Sequence, residues 1–557
     1  MKEAQPPVVN INNSPSPLNT TKPLRFLVIG AGSRGTAYAR AVTTTTAGVI
    51  HTIAEPHAFK RQEFGRNFVW GDKGGSPHEG QEFTDWQEWL QWELKRRQQL
   101  QHAIQPPGVD GVFICTLDET HIEILRAIAP LQLHILCEKP LALSLADCLT
   151  AYRVLGGQSP STIFSIGHVL RYSPHNILLR KLLLVDRVIG DIVSLEHCEP
   201  VGWWHFAHSY VRGNWRRQTP AGDGSLLTKS CHDIDFILWL LCSPPPVSSA
   251  DNADADADAD ATTDSGSPHL PRSISSTGTL TQFRPARKPL AAGSATNCLS
   301  CPAEPECNYS ALKIYRDMHV KQSIFDWPVN IVCPDIEDVV RPFASSSSND
   351  GAIAAAETHL LKRLGEDYSR ETMTDTEIAS RPWYGRCVYD GDNTVCDDQI
   401  VTITWDDEQP SSSSKASPRP SKTATFHMIA PTEKQCERRG RVYGTTGEIS
   451  YDSRTISVYS FATRSTTEIP VPRQAPEEEK SHGGGDYGLA RSFVKAVDAV
   501  VRRGWEVERA QRRFVGCSLE EAVRSHAVVF AAEEARREEK VVKWGEWWER
   551  KVSGHEG

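Results

Sequence analysis

The sequence predicts an α/β protein: a doubly wound parallel sheet, then an α+β domain with an open, mostly antiparallel sheet. Three observations carry this. Residues 24–170 alternate short, wholly apolar runs with helical stretches, the pattern of parallel strands covered on both faces. Gly30, Gly32 and Gly35 stand in a G-x-G-x-x-G spacing between the first run and the first helix. Beyond about residue 190 the runs alternate apolar and polar residues, as strands with one covered face do.

Taken in order, LRFLVIG (24–30) is a strand, SRGTAYARAV (33–42) a helix and VIHTIAE (49–55) a second strand ending in an acid. GVFICT (111–116), LHILCE (133–138) and TIFSIGH (162–168) continue the sheet, with ETHIEILRAIA (119–129) and SLADCLTAYRVLG (144–156) as helices between them. Residues 23–170 therefore form the first domain and 171–540 the second. In the second, IVSLEHCEPVG (192–202), ALKIYRD (311–317), QIVTITW (399–405), TATFHMIA (423–430), RRGRVYGTTGEISYD (438–452) and TISVYSFAT (455–463) read as strands. HDIDFILWLL (232–241) is a helix. In DYGLARSFVKAVDAVVRR (486–503), Leu489, Phe493, Val497 and Val500 recur at helical spacing. Ser518 and Glu521 have the offset of a capping box. Residues 1–22 and 541–557 read as tails. The Ala-Asp and Ser/Thr/Pro-rich stretch 244–292 and the Ser-rich runs 344–350 and 409–422 read as disordered insertions, too polar to offset ordering entropy.

Composition excludes several function classes. A formal charge of −9 argues against a nucleic-acid-binding face. No apolar run approaches the ~20 residues that span a bilayer. The first twenty residues lack the basic start and apolar stretch of a signal peptide. The 14 cysteines are scattered, several inside apolar strands, which fits reduced thiols in a cytoplasmic protein.

The glycine motif has the context of a Rossmann dinucleotide site. The first glycine permits the tight turn, the second lets backbone approach a pyrophosphate, and the third lets helix pack on strand. Free N–H groups at the helix start, from Ser33 and Arg34 onward, suit phosphate. Glu55, twenty residues after Gly35, is placed to accept both ribose hydroxyls and so to select NAD. Arg34, Lys60 and Arg61 keep NADP open as the alternative.

Cys137-Glu138-Lys139-Pro140-Leu141-Ala142 and Thr116-Leu117-Asp118-Glu119-Thr120-His121 resemble the EKP and T-P-x-x-x-H segments of the Gfo/Idh/MocA oxidoreductases, with Leu117 replacing the usual proline. His168-Val169-Leu170-Arg171-Tyr172 resembles that family's interdomain segment. The resemblance covers most of 24–245 and, more loosely, 295–535. Arg212-Gly213-Asn214-Trp215-Arg216, the run Lys229-Ser230-Cys231-His232-Asp233-Ile234-Asp235 and Gly483–Leu489 are similar to one less characterised branch.

The resemblance implies a second-domain sheet that carries substrate and oligomer contacts, so a homo-oligomer. It also implies hydride transfer at a carbinol carbon of a sugar, cyclitol or related polyol. It places Thr116, Leu117, His121, Glu138, Lys139, Trp215 and Arg216 at the cofactor. His232 becomes the general base, and Lys139 polarises the substrate oxygen and helps relay the proton. Many relatives carry an aspartate four residues before that histidine. Thr228 stands there instead, next to Lys229, which raises an acidic substrate paired with Lys229, Arg171 or Arg216. Asp235 is the acid of helix 232–241 expected to face the site. His205 and Tyr210, in an aromatic-polar cluster with Trp203, Trp204 and His208, are expected against substrate. Two other functions stay open: a dinucleotide-binding regulator without turnover, and a glycoside hydrolase that oxidises its sugar transiently. Cys298, Cys301 and Cys307 have part of a zinc-knuckle spacing, so a structural zinc clip and a metal-free thiol-rich loop are both open.

Overall fold

The computed structural model describes residues 22–71, 75–99, 108–219, 224–244, 267–345, 348–408 and 418–552. Residues 1–21 of the expected tail 1–22, the Ala-Asp repeat and residues 409–417 of the Ser-rich run 409–422 lie outside the described residues. The first sheet contains β1 (Arg25–Ile29), β2 (Val49–Ala54), β3 (Glu82–Phe83), β4 (Gly111–Ile114), β5 (His134–Cys137) and β6 (Phe164–Ile166). All pairings are parallel, in the order β3-β2-β1-β4-β5-β6. This is the Rossmann order, whose ligand crevice lies at the carboxyl ends of β1 and β4. Phe26, Leu27, Val28, Phe113 and Ile114 are wholly buried, as strands covered on both faces require. Helix α1 (Ser33–Thr45) leaves the glycine loop, and α2 (Ala58–Phe68) follows β2. The two-residue β3 falls in a polar, Trp-rich stretch with no strand signature.

The second sheet has nine strands: β7 (Ile192–Pro200), β8 (Ser273–Thr279), β9 (Asp398–Trp405), β10 (Lys422–Ile429), β11 (Arg439–Gly444), β12 (Gly447–Tyr451), β13 (Ile456–Ser460), β14 (Ser465–Ile469) and β15 (Val542–Lys543). Their order is β14-β13-β12-β11-β7-β10-β9-β8-β15. Only β7 and β10 run parallel. Helix α3 (Cys231–Leu241), buried at every residue, covers this sheet.

Four expectations change. The insertion assigned to 244–292 is not disordered throughout, because β8 pairs antiparallel with β9 on one side and β15 on the other. Its order comes from backbone ladders and from buried His269, Ile274 and Phe283, which a composition dominated by Ser and Thr conceals. Likewise, Asp350 already opens the helix Asp350–Leu364, and Lys422 opens β10. The 541–557 tail instead supplies β15 and a helix that buries Trp544 and Trp547. ALKIYRD is a wide helical turn over Leu312–Asp317 rather than a strand. Its buried residues are Ala311, Leu312, Ile314 and Tyr315, spaced as a helical face and not as a period of two.

The domain boundary is also crossed twice. Helix α4 (Gly485–Val501) returns to the first sheet, where Phe493 packs 5.9 Å from Phe26 and 5.3 Å from Phe113 between ring centres. Helix α5 (Leu519–Arg537) runs through both cores: Leu519, Ala522 and Val523 belong to the first, Ala527 to Ala532 to the second. Its capping box is present, Ser518 Oγ accepting from Glu521 N–H and Glu521 from Ser518 N–H.

The seam buries Arg171 and Asp235, 4% and 0% exposed. The guanidinium donates two bonds, of 2.7 and 2.8 Å, to the carboxylate, and Ser525 donates a third of 2.6 Å. Both residues were expected at the substrate, and both are structural instead. Arg171 holds the Asp235 carboxyl far below its ordinary range, against the opposing effect of burial. Asp235→Asn should strand the guanidinium and cost about 3–5 kcal/mol in urea unfolding. Arg171→Met combined with Asp235→Leu should cost less than either single change. A dominant effect on substrate KM with unchanged stability would restore the substrate role.

Candidate active site

The glycine loop satisfies three separate constraints. Gly30 has φ +95°, and a Cβ there would lie 2.6 Å from the Cys115 carbonyl oxygen. A Cβ on Gly35 would lie 2.0 Å from Gly30 O. At Gly32 a Cβ would meet nothing within 4 Å, so the loop faces open space there. No side chain caps α1, which leaves its first-turn N–H groups directed at that space. This donor set, at the carboxyl ends of β1 and β4, fits a dinucleotide pyrophosphate.

Glu55 stands at the end of β2, 8% exposed, and accepts from Ala31 N–H at 2.7 Å and His57 N–H at 2.8 Å. Arg34 does not extend toward the cofactor space. It donates to Glu138 at 2.8 Å and to Asp486 at 2.9 and 2.8 Å, and it lies over the Tyr38 ring. Arg61 is held by Glu82 and by the Glu55 carbonyl. Two of the three cations that could receive a 2′-phosphate are thus engaged.

Lys139 follows β5 in a loop fixed from two sides by histidines. His121 Nδ1 donates to Pro140 O at 2.8 Å, and His526 Nε2 accepts from Leu141 N–H at 2.9 Å while its Nδ1 donates to Ala522 O. Burial pushes His526 down to about 3, so the ring is neutral and can accept. His121 was expected at the cofactor. It is wholly buried and positions the loop instead. Thr116 accepts from the Thr120 hydroxyl at 2.6 Å, and Leu117 stands half exposed beside the crevice. Lys139 Nζ reaches across the seam and donates to Thr228 O at 2.6 Å.

One helical turn beyond Thr228, His232 is 4% exposed. Its Nε2 accepts from Arg438 Nη2 at 2.6 Å, and its Nδ1 has no partner among the described residues. Burial pushes this histidine well below its ordinary pKa, which leaves a neutral ring with its proton on Nδ1. The unprotonated nitrogen of the histidine expected as general base is therefore taken by a guanidinium. Arg438 also donates to Glu199 at 2.6 Å and to Asp233 at 2.9 Å. Glu199, His232 and Asp233 bring ligand atoms within 4.8 Å of one another, a metal-like cluster that Arg438 already fills. Burial pushes the Glu199 carboxyl up to about 7.

Lys229 Nζ lies 3.0 Å from Cys436 Sγ and 3.3 Å from Glu199. His205 Nδ1 is 3.5 Å from the same sulfur. Tyr210, 3% exposed, stacks between Phe206 and Trp215, whose indole N–H donates to Asp118 at 2.8 Å. His205, Tyr210, Lys229 and Trp215 thus come together in one cluster. Arg216 does not: it is buried on Asp392, Gly213 O and Ile378 O, where it anchors the 285–395 region. His208 is packed between Tyr315 and Tyr384. The three zinc-candidate thiols act on one another electrostatically but do not bring their sulfurs within 4.8 Å as one ligand group. Cys298 accepts from Arg212 and from Ala311 N–H, and Glu199, His232 and Asp233 are the only three-ligand group among the described residues. The sequence reading missed Arg438, Cys436, Glu199 and His526, which no local motif marks.

Residues 24–159 match the family model for the NAD-binding Rossmann fold of this oxidoreductase family, and residues 181–264 match its C-terminal alpha/beta domain. Both matches are to models of the Gfo/Idh/MocA oxidoreductases, so the chain is similar to that family in each of its two domains. It is 28% identical over 147 residues to 1,5-anhydro-D-fructose reductase of Ensifer adhaerens, covering 26% of this chain and 42% of that one. With inositol 2-dehydrogenase 2 of Paenarthrobacter aurescens it shares 26% over 235 residues, 40% of this chain and 57% of the other. It therefore spans less than two thirds of either relative. Levoglucosan dehydrogenase in complex with NADH and levoglucosan superposes with a TM-score of 0.52 at 14% identity, over 94% of this chain and 99% of that one. That likeness shows the fold. In this chain the Lys139 ammonium reaches the carbonyl of Thr228, four residues before the α3 histidine His232.

Gly32→Asp should abolish NADH binding, read by nicotinamide fluorescence, with little change in thermal midpoint. Gly35→Ala should lower the midpoint itself, because its Cβ has no room.

Proposed function

We propose that this protein is an NAD-dependent oxidoreductase moving hydride between the nicotinamide and a carbinol carbon of a sugar, cyclitol or related polyol. The observation that carries this is Lys139: two histidines hold its loop at the first sheet, and its ammonium crosses the seam to the Thr228 carbonyl just before α3. When bound, the dinucleotide supplies the hydride acceptor or donor. The α1 N-terminus would hold its pyrophosphate and Glu55 its ribose. The engagement of Arg34 and Arg61 favours NAD over NADP.

The chain's own groups are arranged as donors. Lys139 Nζ has spent one N–H on Thr228 and keeps two, His232 carries its proton on Nδ1, and the Tyr210 hydroxyl has no partner among the described residues. Such a set stabilises oxyanion character and gives a proton to a carbonyl oxygen. We read the resting state as poised for carbonyl reduction. In the oxidative direction the proton goes to Lys139 after that lysine has lost its own, and Arg438 keeps His232 from taking it at Nε2. The aromatic wall of Tyr210 and Trp215 suits the apolar face of a sugar ring.

We extend the reading to a homo-oligomer through the open face of the second sheet, where Val193 and Ile400 stand exposed. No helix among the described residues is long and apolar enough to cross a membrane. All 14 cysteines are free, which suits the reducing cytoplasm we assign.

A screen of polyols with NAD and of their ketones with NADH tests the proposal. Lys139→Met should lower kcat by about 10²–10⁴-fold, with NADH affinity within threefold of the parent. His232→Gln should cost less, since Gln keeps a donor. No turnover of any polyol or ketone by a folded, NADH-binding protein would overturn the reading.

A further inference from the structure

The Lys229–Cys436 pair takes no part in the mechanism above. Lys229 is 8% exposed, so its ammonium requires an anion close by. Glu199 is shared with Arg438 and with the Ser230 hydroxyl, which leaves Cys436 Sγ, at 3.0 Å, as the nearer partner. Cys436 sits in the loop between β10 and β11 with φ +59°, a left-handed conformation unusual for a residue with a side chain. Its N–H donates to Pro200 O at the end of β7, and this bond fixes the turn that aims the sulfur at Lys229 and His205. The groups facing the sulfur are Lys229, Arg438, His205, His482 and the Glu199 carboxyl; Lys229 and Arg438 pull the thiol below its ordinary range against burial. Burial pushes Cys115, Cys137, Cys198, Cys231 and Cys517 the other way.

A second, independent observation points to a ligand here. Tyr210 is 3% exposed, its ring lies 6.5 Å from that of His205, and its hydroxyl has no partner among the described residues. Cys436 itself is half-buried, unlike the fully buried Cys115, Cys137, Cys231 and Cys517.

We propose that Cys436 is a thiolate nucleophile at the wall of the active site and a modification site for small soft electrophiles, hydroperoxides in particular. The sulfur attacks one peroxide oxygen, forming an S–O bond as the O–O bond breaks. The leaving hydroxide takes a proton from the Lys229 ammonium and departs as water, and solvent reprotonates the lysine. The sulfur is oxidised by two electrons to a neutral sulfenic acid and the peroxide is reduced to water. Lys229 thereby loses its thiolate counterion.

The test uses the full-length protein with limiting iodoacetamide and peptide mass spectrometry, then hydrogen peroxide with a dione that traps sulfenic acid. Cys436 should be alkylated at pH 7 at least tenfold faster than any of the other 13 thiols, and it should be the main sulfenic acid. Lys229→Met should slow its alkylation at pH 7 about tenfold and recover the parent rate at alkaline pH. Lys229→Arg should keep it fast. Alkylation of Cys436 no faster than that of Cys301 or Cys307, in protein whose circular dichroism and melting are intact, would overturn the proposal, as would a rate insensitive to Lys229→Met. These readouts require no turnover, so failure of the polyol reading leaves this result interpretable, and the reverse also holds.

Discussion

The site depends on one buried cluster of charge. Glu138 follows β5 directly and is 5% exposed, so its carboxylate must be matched within the protein. Arg34, from the first turn of α1, matches it and is itself held by Asp486 from the first turn of α4. Tyr38 donates to the same carboxylate. Three distant segments, the dinucleotide loop, the lysine loop and the returning C-terminal helix, are thereby fixed by one guanidinium. Its planar fork suits two carboxylates at once, which a lysine ammonium could not reproduce.

Around that cluster the two domains are less separate than their sheets suggest. Helices α4 and α5 carry the chain back from the second sheet to the first. His526 then pins the lysine loop from the far side, and Ser525 secures Asp235. The Arg171–Asp235 pair, buried at the seam, sets how α3 meets the first domain. The region 285–395 closes another side. Arg216 and Arg217 pair with Asp392 and Asp375, Trp327 packs 5.1 Å from His205, and Arg341 lies over Phe59 of α2. It walls the site without adding a strand to either sheet among the described residues, so it reads as irregular sequence.

Polar groups inside this seam define the chemistry more than the motifs do. Arg438 decides which nitrogen of His232 carries the proton. Its effect on His232 is electrostatic and geometric, and it comes from a loop some two hundred residues away along the chain. The same guanidinium occupies the space between Glu199, His232 and Asp233, so three residues with metal-ligand chemistry hold an arginine instead.

The parallel strands, the glycine turn, the capping box at Ser518 and the EKP lysine were all legible in the sequence, because each is set by local periodicity or by a short fixed spacing. Apolar runs bounded by glycine predict buried strands without knowledge of the partner strand. The roles of Arg34, His121, Arg171, Arg216 and Asp235 were not legible, because a charged side chain reads the same whether it faces a ligand or a buried counter-charge. Only the tertiary structure brings Asp486 to Arg34, Arg438 to His232 and Cys436 to Lys229. Strand β8 and the terminal helix escaped for a related reason: their order comes from backbone pairing and a few buried rings, and neither leaves a periodic trace in composition.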